Sequence, residues 1–214
     1  MGTAPMETLS SASGRRRVKP TTAAVAVLAA LLLAGGGLVV HLGLDGRLPG
    51  LPGYPKRFAV VEEGVLYRSA QPTPRHLRNL VRDKGLRTVL IVREGESERV
   101  LEEKAAAERL GLKVIHLHLP SRQRVSDEHL AAFFECVDQP ANHPVLVHCS
   151  AGRHRTGYLC ARYRIDRQGW TVDRAIEEML SFGCDFEDHA MILDQLRSYR
   201  PAAPAAGSPP AEIR

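Results

Sequence analysis

Short apolar runs alternate with longer amphipathic stretches through the middle of the chain. Runs such as TVLIV at 88–92 are unbroken and β-branched, which indicates strands buried on both faces. The stretches between them have helical spacing and end at capping residues such as Thr73 and Gly85. This alternation predicts an α/β domain whose central sheet is mostly parallel and flanked by helices. The predicted strands are 64–68, 88–92, 114–119 and 144–148, and the predicted helices are 74–84, 97–110, 127–138, 156–168, 172–181 and 186–199.

The beginning of the chain has a different pattern. Residues 21–40 form a run without charge or proline, which is long enough as a helix to cross the hydrocarbon core of a bilayer. A cleaved secretory signal is the alternative, although the run is longer than a usual signal core. The predicted organisation is a basic segment at 1–20, one transmembrane anchor at 21–44, a Gly/Pro-rich linker at 45–56, a folded domain at 57–200 and a disordered tail at 201–214.

Charge is concentrated beside the predicted anchor. The chain has 214 residues and a net charge of +5, and residues 1–20 hold four Lys or Arg and one Glu, so +3 lies there and +2 in the rest. Such a modest surplus gives no basic coat, so no nucleic-acid partner is predicted. The basic residues before the apolar run favour a single-pass membrane protein with its N-terminus in the cytoplasm and the folded domain outside.

The residues after the predicted strand 144–148 carry the candidate chemistry. Cys149 follows this strand and Arg155 comes six residues later, where a helix is expected to begin. Free backbone N–H groups at such a junction bind anions, and they lower the pKa of a thiol held there. The planar guanidinium of Arg155 suits two phosphate oxygens, and Gly152 allows a turn that a side chain would hinder. The pattern therefore predicts a phosphate-binding loop with a nucleophilic cysteine.

His148, Cys149, Gly152, Arg155 and Thr156 occupy every fixed position of the pattern H-C-x-x-G-x-x-R-[ST], the signature of cysteine-based phosphatases, which this segment resembles. The loop CSAGRHRTG and the earlier segment LYRSAQP are similar to atypical dual-specificity phosphatases of plants, fungi and bacteria. The resemblance covers most of residues 58–198. It implies a fold like that of the dual-specificity phosphatases and the activity of a protein-tyrosine/dual-specificity phosphatase.

The same resemblance implies a role for each residue of the loop. Cys149 attacks phosphorus as the thiolate and forms a phosphocysteine, while Arg155 stabilises the transition state. Thr156 hydrogen-bonds the thiolate when it leaves, and His148 orients the cysteine through a side-chain bond. No metal or other cofactor is implied. The predicted substrate-binding residues are Ser150, Ala151, Gly152, Arg153, His154 and Thr156, and the predicted supporting residues are His148, Arg68 and Ser69, although the last two also suit an ordinary strand end.

The general acid is the point at which this sequence departs from that family. Most members carry an acidic residue on a loop before the cysteine, but residues 119–126 hold Arg and Gln at the expected place. Asp127 is the nearest carboxyl group and is the candidate acid, although it also suits the first turn of a helix. Asp185 and Asp188 are lesser candidates. A missing acid favours aryl phosphates or phosphoanhydrides, because their leaving groups need a proton less than a serine alkoxide does.

These observations predict a phosphatase for phosphotyrosine-like phosphomonoesters, with a phosphorylated protein or a small anionic phosphate as substrate. An alternative is an inositol pyrophosphate or other phosphoanhydride phosphatase, for which Arg122 and Arg124 would extend a cationic mouth. An extracytoplasmic domain argues against an intracellular inositol substrate. Two further alternatives are a catalytically weak phosphate-binding module and a sulfurtransferase, and the pair Arg155 and Thr156 argues against the latter.

The remaining cysteines and two histidines complete the candidate chemistry. Cys136 and Cys160 fall within predicted helices and are expected to be small core residues. His116 and His118 alternate on one face of a predicted strand. Because no third ligand stands at a suitable spacing, no metal site is predicted.

Overall fold

The structure, a computed structural model, describes residues 53–185, 187 and 189–200. The described chain contains a five-stranded sheet in the order β1-β2-β5-β3-β4, in which β1 is antiparallel to β2 and all other neighbours are parallel. The predicted α/β class is therefore confirmed. The strands are β1 (Ala59–Glu62), β2 (Leu66–Ala70), β3 (Thr88–Val92), β4 (Lys113–Leu117) and β5 (Val145–Cys149); the helices are α1 (Pro74–Lys84), α2 (Glu98–Arg109), α3 (Asp127–Val137), α4 (His154–Gln168), α5 (Val172–Ser181) and α6 (Ala190–Ser198), with a 3₁₀ turn at Pro140–Asn142.

The central strands are apolar throughout because both faces of the sheet are covered. In β3, Leu90 and Val92 pack into a cluster with α3, α4, α5 and α6, whereas Val89 and Ile91 pack into a second cluster with α1 and α2. All five residues of β3 and all five of β5 are buried. The sheet therefore separates two hydrophobic layers, and its carboxyl edge is left for the loops that follow the parallel strands.

Local capping residues determine where the helices begin and end. The hydroxyl of Thr73 accepts from the backbone N–H of His76, and the left-handed Gly85 (φ 62°) ends α1 as predicted. Helix α4 begins at His154, two residues before the expected start at Thr156, so Arg155 lies inside its first turn. Strand β1 was not predicted, because its four residues AVVE form a short edge strand with little pattern.

The folded domain begins before its expected start at residue 57. The hydroxyl of Tyr54 donates to Asp83 at 2.9 Å, and the carbonyl of Gly53 accepts from the side chain of Asn79 at 2.7 Å. Residues 53–56, expected to belong to the linker, are thus held on the domain.

The predicted basic segment, anchor and tail lie outside the described residues, as does the rest of the linker. Among residues 53–185, 187 and 189–200, no helix combines the length and the apolar character needed to cross a bilayer.

Candidate active site

The loop between β5 and α4 packs directly on the end of β2. Gly152 has φ 70°, and a Cβ atom there would lie 2.6 Å from backbone atoms of Ser69 and Ala70. The backbone N–H of Gln71 donates to the carbonyl of Ser150 at 3.2 Å, which joins the two segments again. Because backbone cannot move aside as a flexible side chain can, only glycine fits at residue 152. The sequence pattern predicted this glycine for its turn, and the structure adds the close approach.

Cys149 lies at the centre of this loop. It is 3% exposed, and the backbone N–H of Gly152 donates to its Sγ at 3.2 Å. Burial alone raises the pKa of this thiol, but the Thr156 side chain and N–H, the charge of Arg155 and the Gly152 N–H together outweigh burial and hold the pKa below its ordinary value. The buried hydroxyl of Thr156 has no other partner in the described chain, which leaves it available to the sulfur.

The other three cysteines have the opposite character. All are buried free thiols, and burial raises the pKa of Cys136 and Cys160 to about 11 and that of Cys184 to about 12. Cys136 and Cys160 are core residues of α3 and α4, as predicted. The thiolate is the nucleophilic form, so the pKa order makes Cys149 the candidate nucleophile among the four cysteines.

Arg155 is held by the segment that follows β4, the edge strand beyond β3. One of its Nη atoms donates to the carbonyl of Leu119 at 3.1 Å, just beyond the end of β4. This bond aligns the guanidinium while leaving its other donors free for an anion. The segment that follows Leu119 contains the exposed Arg122 and Arg124, so it adds positive charge to this side of the site.

A second pair of loop residues lies beside a carboxylate. Oδ2 of Asp185 lies 3.7 Å from the Nη1 atom of Arg153 and 3.7 Å from the Nε2 atom of His154. The ring of His154 stacks on that of His189 with centroids 3.4 Å apart. Burial, followed by the positive charge of His189, lowers the pKa of His154. Among the described residues, Asp185 is therefore the carboxylate that forms ion pairs with Arg153 and His154.

Asp127, the candidate general acid, is in the first turn of α3. It is exposed and follows Ser126, whose hydroxyl accepts from the N–H of His129. No hydrogen bond or ion pair of the described residues joins Asp127 to the phosphate loop. Its position is the first-turn position that the sequence also allowed, and it gives the acid role no geometric support. Asp188 is outside the described residues.

Two residues of β2 had been predicted to support the loop. Arg68 is 1% exposed, and its Nη2 donates to the carbonyl of Gly152 at 2.9 Å. Its guanidinium lies 3.7 Å from the centre of the Phe182 ring, a cation–π contact that holds it in place. The hydroxyl of Ser69 instead donates to the carbonyl of Ala70, so Ser69 meets the loop through its backbone.

His148 contacts the cysteine through its side chain. Its Nδ1 lies 3.1 Å from the backbone carbonyl of Cys149, which is a side-chain bond of the kind that was predicted. Its Nε2 lies 2.5 Å from Oε1 of Glu103, and both side chains are completely buried. The other carboxylate oxygen of Glu103 accepts from Nε2 of Gln71 at 2.8 Å. A buried polar network thus reaches from α2 to the nucleophile.

Two residues of the site, Glu103 and Arg57, had no predicted role. Arg57 has φ 57°, a strained value for a residue with a side chain, and its guanidinium donates to the carbonyls of Phe182 and Ala151. Burial, with the nearby charges of Arg153 and Arg68, lowers its pKa. Glu103 resembles any glutamate of a Glu-rich helix in sequence. The buried face of α2 recurs every three to four residues, at Val100, Ala106 and Ala107, and Glu103 falls on the same face. This spacing was the sequence signal that could have indicated a buried glutamate.

Known proteins are similar to this chain in sequence and in fold. Dual specificity protein phosphatase TpbA of Pseudomonas aeruginosa is 34% identical over 126 residues, which are 58% of this chain and 54% of the relative. Its crystal structure in complex with pTyr has a TM-score of 0.52 at 30% identity and covers 63% of this chain and 79% of that one. The core catalytic domain of the PP-IP phosphatase SIW14 from S. cerevisiae has a TM-score of 0.61 at 26% identity. This match covers 69% of this chain and 87% of the SIW14 domain.

The chain spans 62% of tyrosine-protein phosphatase-like protein OCA2 of Saccharomyces cerevisiae, to which it is 29% identical, and 54% of TpbA. A sequence model of the tyrosine phosphatase family matches residues 54–194, which include the whole site described above. This match covers most of the chain, and the chain therefore belongs to the tyrosine phosphatase family.

Proposed function

We propose that the chain is a cysteine-dependent phosphatase that hydrolyses phosphotyrosine-like phosphomonoesters. The observation that carries this proposal is the single thiol with a lowered pKa, Cys149, held between the N–H of Gly152 and the side chain of Arg155. The thiolate attacks phosphorus, the new S–P bond replaces the bond to the aryl oxygen, and the phenolate leaves. Arg155 and the loop N–H groups stabilise the charge on the three equatorial oxygens.

The second half of the reaction releases phosphate. Water attacks the phosphocysteine, the S–P bond breaks, and the sulfur leaves as a thiolate that the Thr156 hydroxyl stabilises. A proton from the attacking water passes to a base or to solvent. The side chain of Thr156 is buried beside Cys149 and has no other hydrogen-bond partner in the described chain, which supports this role.

The surroundings of the loop support an aryl leaving group. In the described chain, Asp127 forms no hydrogen bond or ion pair with the loop, and the carboxylate of Asp185 already lies beside Arg153 and His154. A phenolate with a pKa of about 10 leaves with less help than a serine alkoxide. TpbA, a relative of this chain, was solved with pTyr bound.

A phosphoanhydride substrate is the second candidate. Arg57, Arg68 and Arg153 surround the loop in addition to Arg155, which gives it more positive charge than one monoester requires. A phosphate leaving group, with a second pKa of about 6, needs no general acid. Inositol diphosphatase SIW14 of Saccharomyces cerevisiae is 27% identical over 132 residues, 60% of this chain and 46% of the relative.

A comparison of substrates distinguishes the two candidate activities. The full chain is assayed with para-nitrophenyl phosphate, a phosphotyrosine peptide and an inositol pyrophosphate, and the larger kcat/KM identifies the substrate class. Cys149→Ser abolishes turnover in either case, whereas Cys136→Ser, a matched loss of a buried thiol, retains it. If phosphate binds but no ester or anhydride is hydrolysed, the chain is a phosphate-binding module and the proposal fails.

The general acid is tested with the same substrates. Asp127→Asn and Asp185→Asn are compared on a good and a poor leaving group, because loss of an acid slows the poor one more. If the chain uses Asp185, only Asp185→Asn shows this selective loss. Equal effects on both substrates in both variants would assign neither residue to the role.

We also propose that residues 21–44 anchor the chain in a membrane, with the N-terminus in the cytoplasm and the phosphatase domain outside. The uncharged run and the four basic residues before it support this topology. A reporter enzyme active on only one side of the membrane, fused after residue 214, tests it. Activity on the cytoplasmic side would reverse the orientation, and release of the domain into the soluble fraction would indicate a cleaved signal.

A further inference from the structure

A second group of polar side chains lies outside the phosphate loop. His116 is in β4, His118 follows β4, and Glu96 lies in the connection between β3 and α2. One ligand atom from each of these residues lies within 4.8 Å of the other two. In the sequence the two histidines had no third ligand at a suitable spacing. The fold supplies it, because β3 and β4 are neighbours and the chain leaves both at the same edge of the sheet.

The ring of His116 is held in one orientation. Its side chain is only 6% exposed, and its Nε2 lies 2.9 Å from the carbonyl of Arg93. Since a carbonyl only accepts, Nε2 carries the hydrogen and donates it. Nδ1 then faces Glu96 and has no hydrogen-bond partner in the described chain. A histidine that binds a metal through one nitrogen is commonly anchored in this way through the other.

The distances around Nδ1 fit an ion better than a direct bond. Nδ1 of His116 lies 3.6 Å from Oε1 of Glu96, which is longer than a hydrogen bond. Two ligands, each about 2.0–2.2 Å from a tetrahedral zinc ion, are themselves roughly 3.5 Å apart. The ring of His118 lies against that of His116, with centroids 4.0 Å apart and planes inclined by 29°. The second imidazole is therefore beside the same gap.

We propose that Glu96, His116 and His118 bind one divalent transition-metal ion of the Zn²⁺ class. Two imidazoles and a carboxylate suit such an ion, and they leave a fourth position for water. The ammonium group of Lys104 contacts the Glu96 carboxylate, so metal binding replaces one cation beside Glu96 by another. The site is independent of the phosphatase activity proposed above.

The location of the site gives the ion a structural effect. His116 is paired with Ile91, and Ile91 with His148, so the ion lies level with the residue before Cys149, two strand spacings or roughly 10 Å away. The ion fastens the β3–α2 connection to the end of β4. The chain continues from there to Leu119, whose carbonyl holds Arg155.

Zinc binding by the full chain tests the proposal. The Cys149→Ser variant is the parent, because a thiolate would itself bind Zn²⁺. Calorimetric titration is expected to give one bound ion, and Glu96→Gln and His118→Asn are each expected to weaken binding at least about tenfold. Both of these side chains are exposed, so the fold tolerates their replacement.

The matched control is His189→Asn. It lies in the only other described cluster of metal-ligating residues, His154, Asp185 and His189, and it is expected to retain the parent's affinity for zinc.

Thermal melting gives an independent readout of the same site. Zn²⁺ is expected to raise the Tm of the parent and of His189→Asn, but not that of His118→Asn, because a ligand that binds only the folded state stabilises it. Lys104→Met, which removes the competing ammonium group, is expected to bind zinc more tightly than the parent. Absence of stoichiometric binding, or binding that survives His118→Asn and is lost in His189→Asn, would overturn the proposal.

Discussion

Replacement of Gly152 by alanine tests the central geometric claim about the phosphate loop. Gly152 and Gly169 flank the two ends of α4 and have similar left-handed backbones, with φ 70° and φ 66°. They differ in what a new Cβ meets. At residue 169 no atom lies within 4 Å, whereas at residue 152 three backbone atoms of Ser69 and Ala70 lie at 2.6 Å. Gly169→Ala is therefore the matched control for the backbone strain.

The expected magnitudes follow from these distances. The left-handed backbone costs an alanine about 1–2 kcal/mol at either residue. At residue 152 the contact must also lengthen from 2.6 Å to at least 3.4 Å, so the loop moves by about 0.8 Å. A misplacement of about 1 Å costs on the order of a hundredfold in rate, or roughly 2.7 kcal/mol of transition-state stabilisation. Gly152→Ala should thus lower kcat/KM strongly, in addition to the loss of folding free energy that the left-handed backbone causes at either residue.

Two measurements on each variant separate these effects. Urea denaturation gives the free energy of unfolding, and kcat/KM with an aryl phosphate gives the state of the loop. Gly169→Ala is expected to lose about 1–2 kcal/mol of stability and to keep its kcat/KM, while Gly152→Ala loses at least about a hundredfold in kcat/KM. Equal kcat/KM in the two variants would refute the claim that contact with β2 fixes the loop.

Three further predictions concern the groups around the nucleophile. Glu103→Ala leaves His148 without its buried partner and should lower the free energy of unfolding by about 3–5 kcal/mol in urea denaturation, while the exposed neighbour Glu102→Ala changes it by under about 0.5 kcal/mol. A Glu103→Ala value as small as the control would contradict the network. Thr156→Val removes a hydrogen bond that lowers the pKa of Cys149, so the acidic limb of the kcat/KM profile, where the thiolate forms, should move to higher pH; an unmoved limb would exclude this bond. At neutral pH, iodoacetamide should alkylate Cys149 before the other three thiols, as mass spectrometry would show, and equal labelling would contradict the pKa order.

The parts of the site that are local in sequence could be predicted, and the parts that depend on the sheet order could not. Cys149, Gly152 and Arg155 stand on one loop whose spacing already defines an anion site. The support from Arg68 was suggested by the resemblance of the LYRSAQP segment, but the bond to Gly152 depends on β2 lying beside β5. Glu103 could not be assigned a role, because its partner His148 is 45 residues away in the chain and their meeting requires α2 to cover the sheet.

The same distinction explains the errors in the predicted fold. The strands β3 and β5 were predicted within one residue of their observed bounds. Each is a short, unbroken apolar run, which is the pattern of a strand covered by helices on both faces of the sheet. Strand β1 was missed because only its antiparallel pairing with β2 defines it. The start of the domain was placed late because proline and glycine around residues 50–55 suggest a linker, whereas Tyr54 is fastened by a hydrogen bond to Asp83 in α1.

The contact between Gly152 and the end of β2 has a consequence for how the protein acquires its reactivity during folding. It joins chain segments that lie far apart, because β2 pairs with β5 in a register that places Leu66 opposite Val145. Such long-range parallel pairing forms slowly, since the entropy of closing a long loop must be overcome first. Until it forms, Arg68 and β2 do not hold Gly152, whose N–H is one of the groups that lower the pKa of Cys149. The full lowering of this thiol pKa is therefore expected only once β2 and β5 have paired.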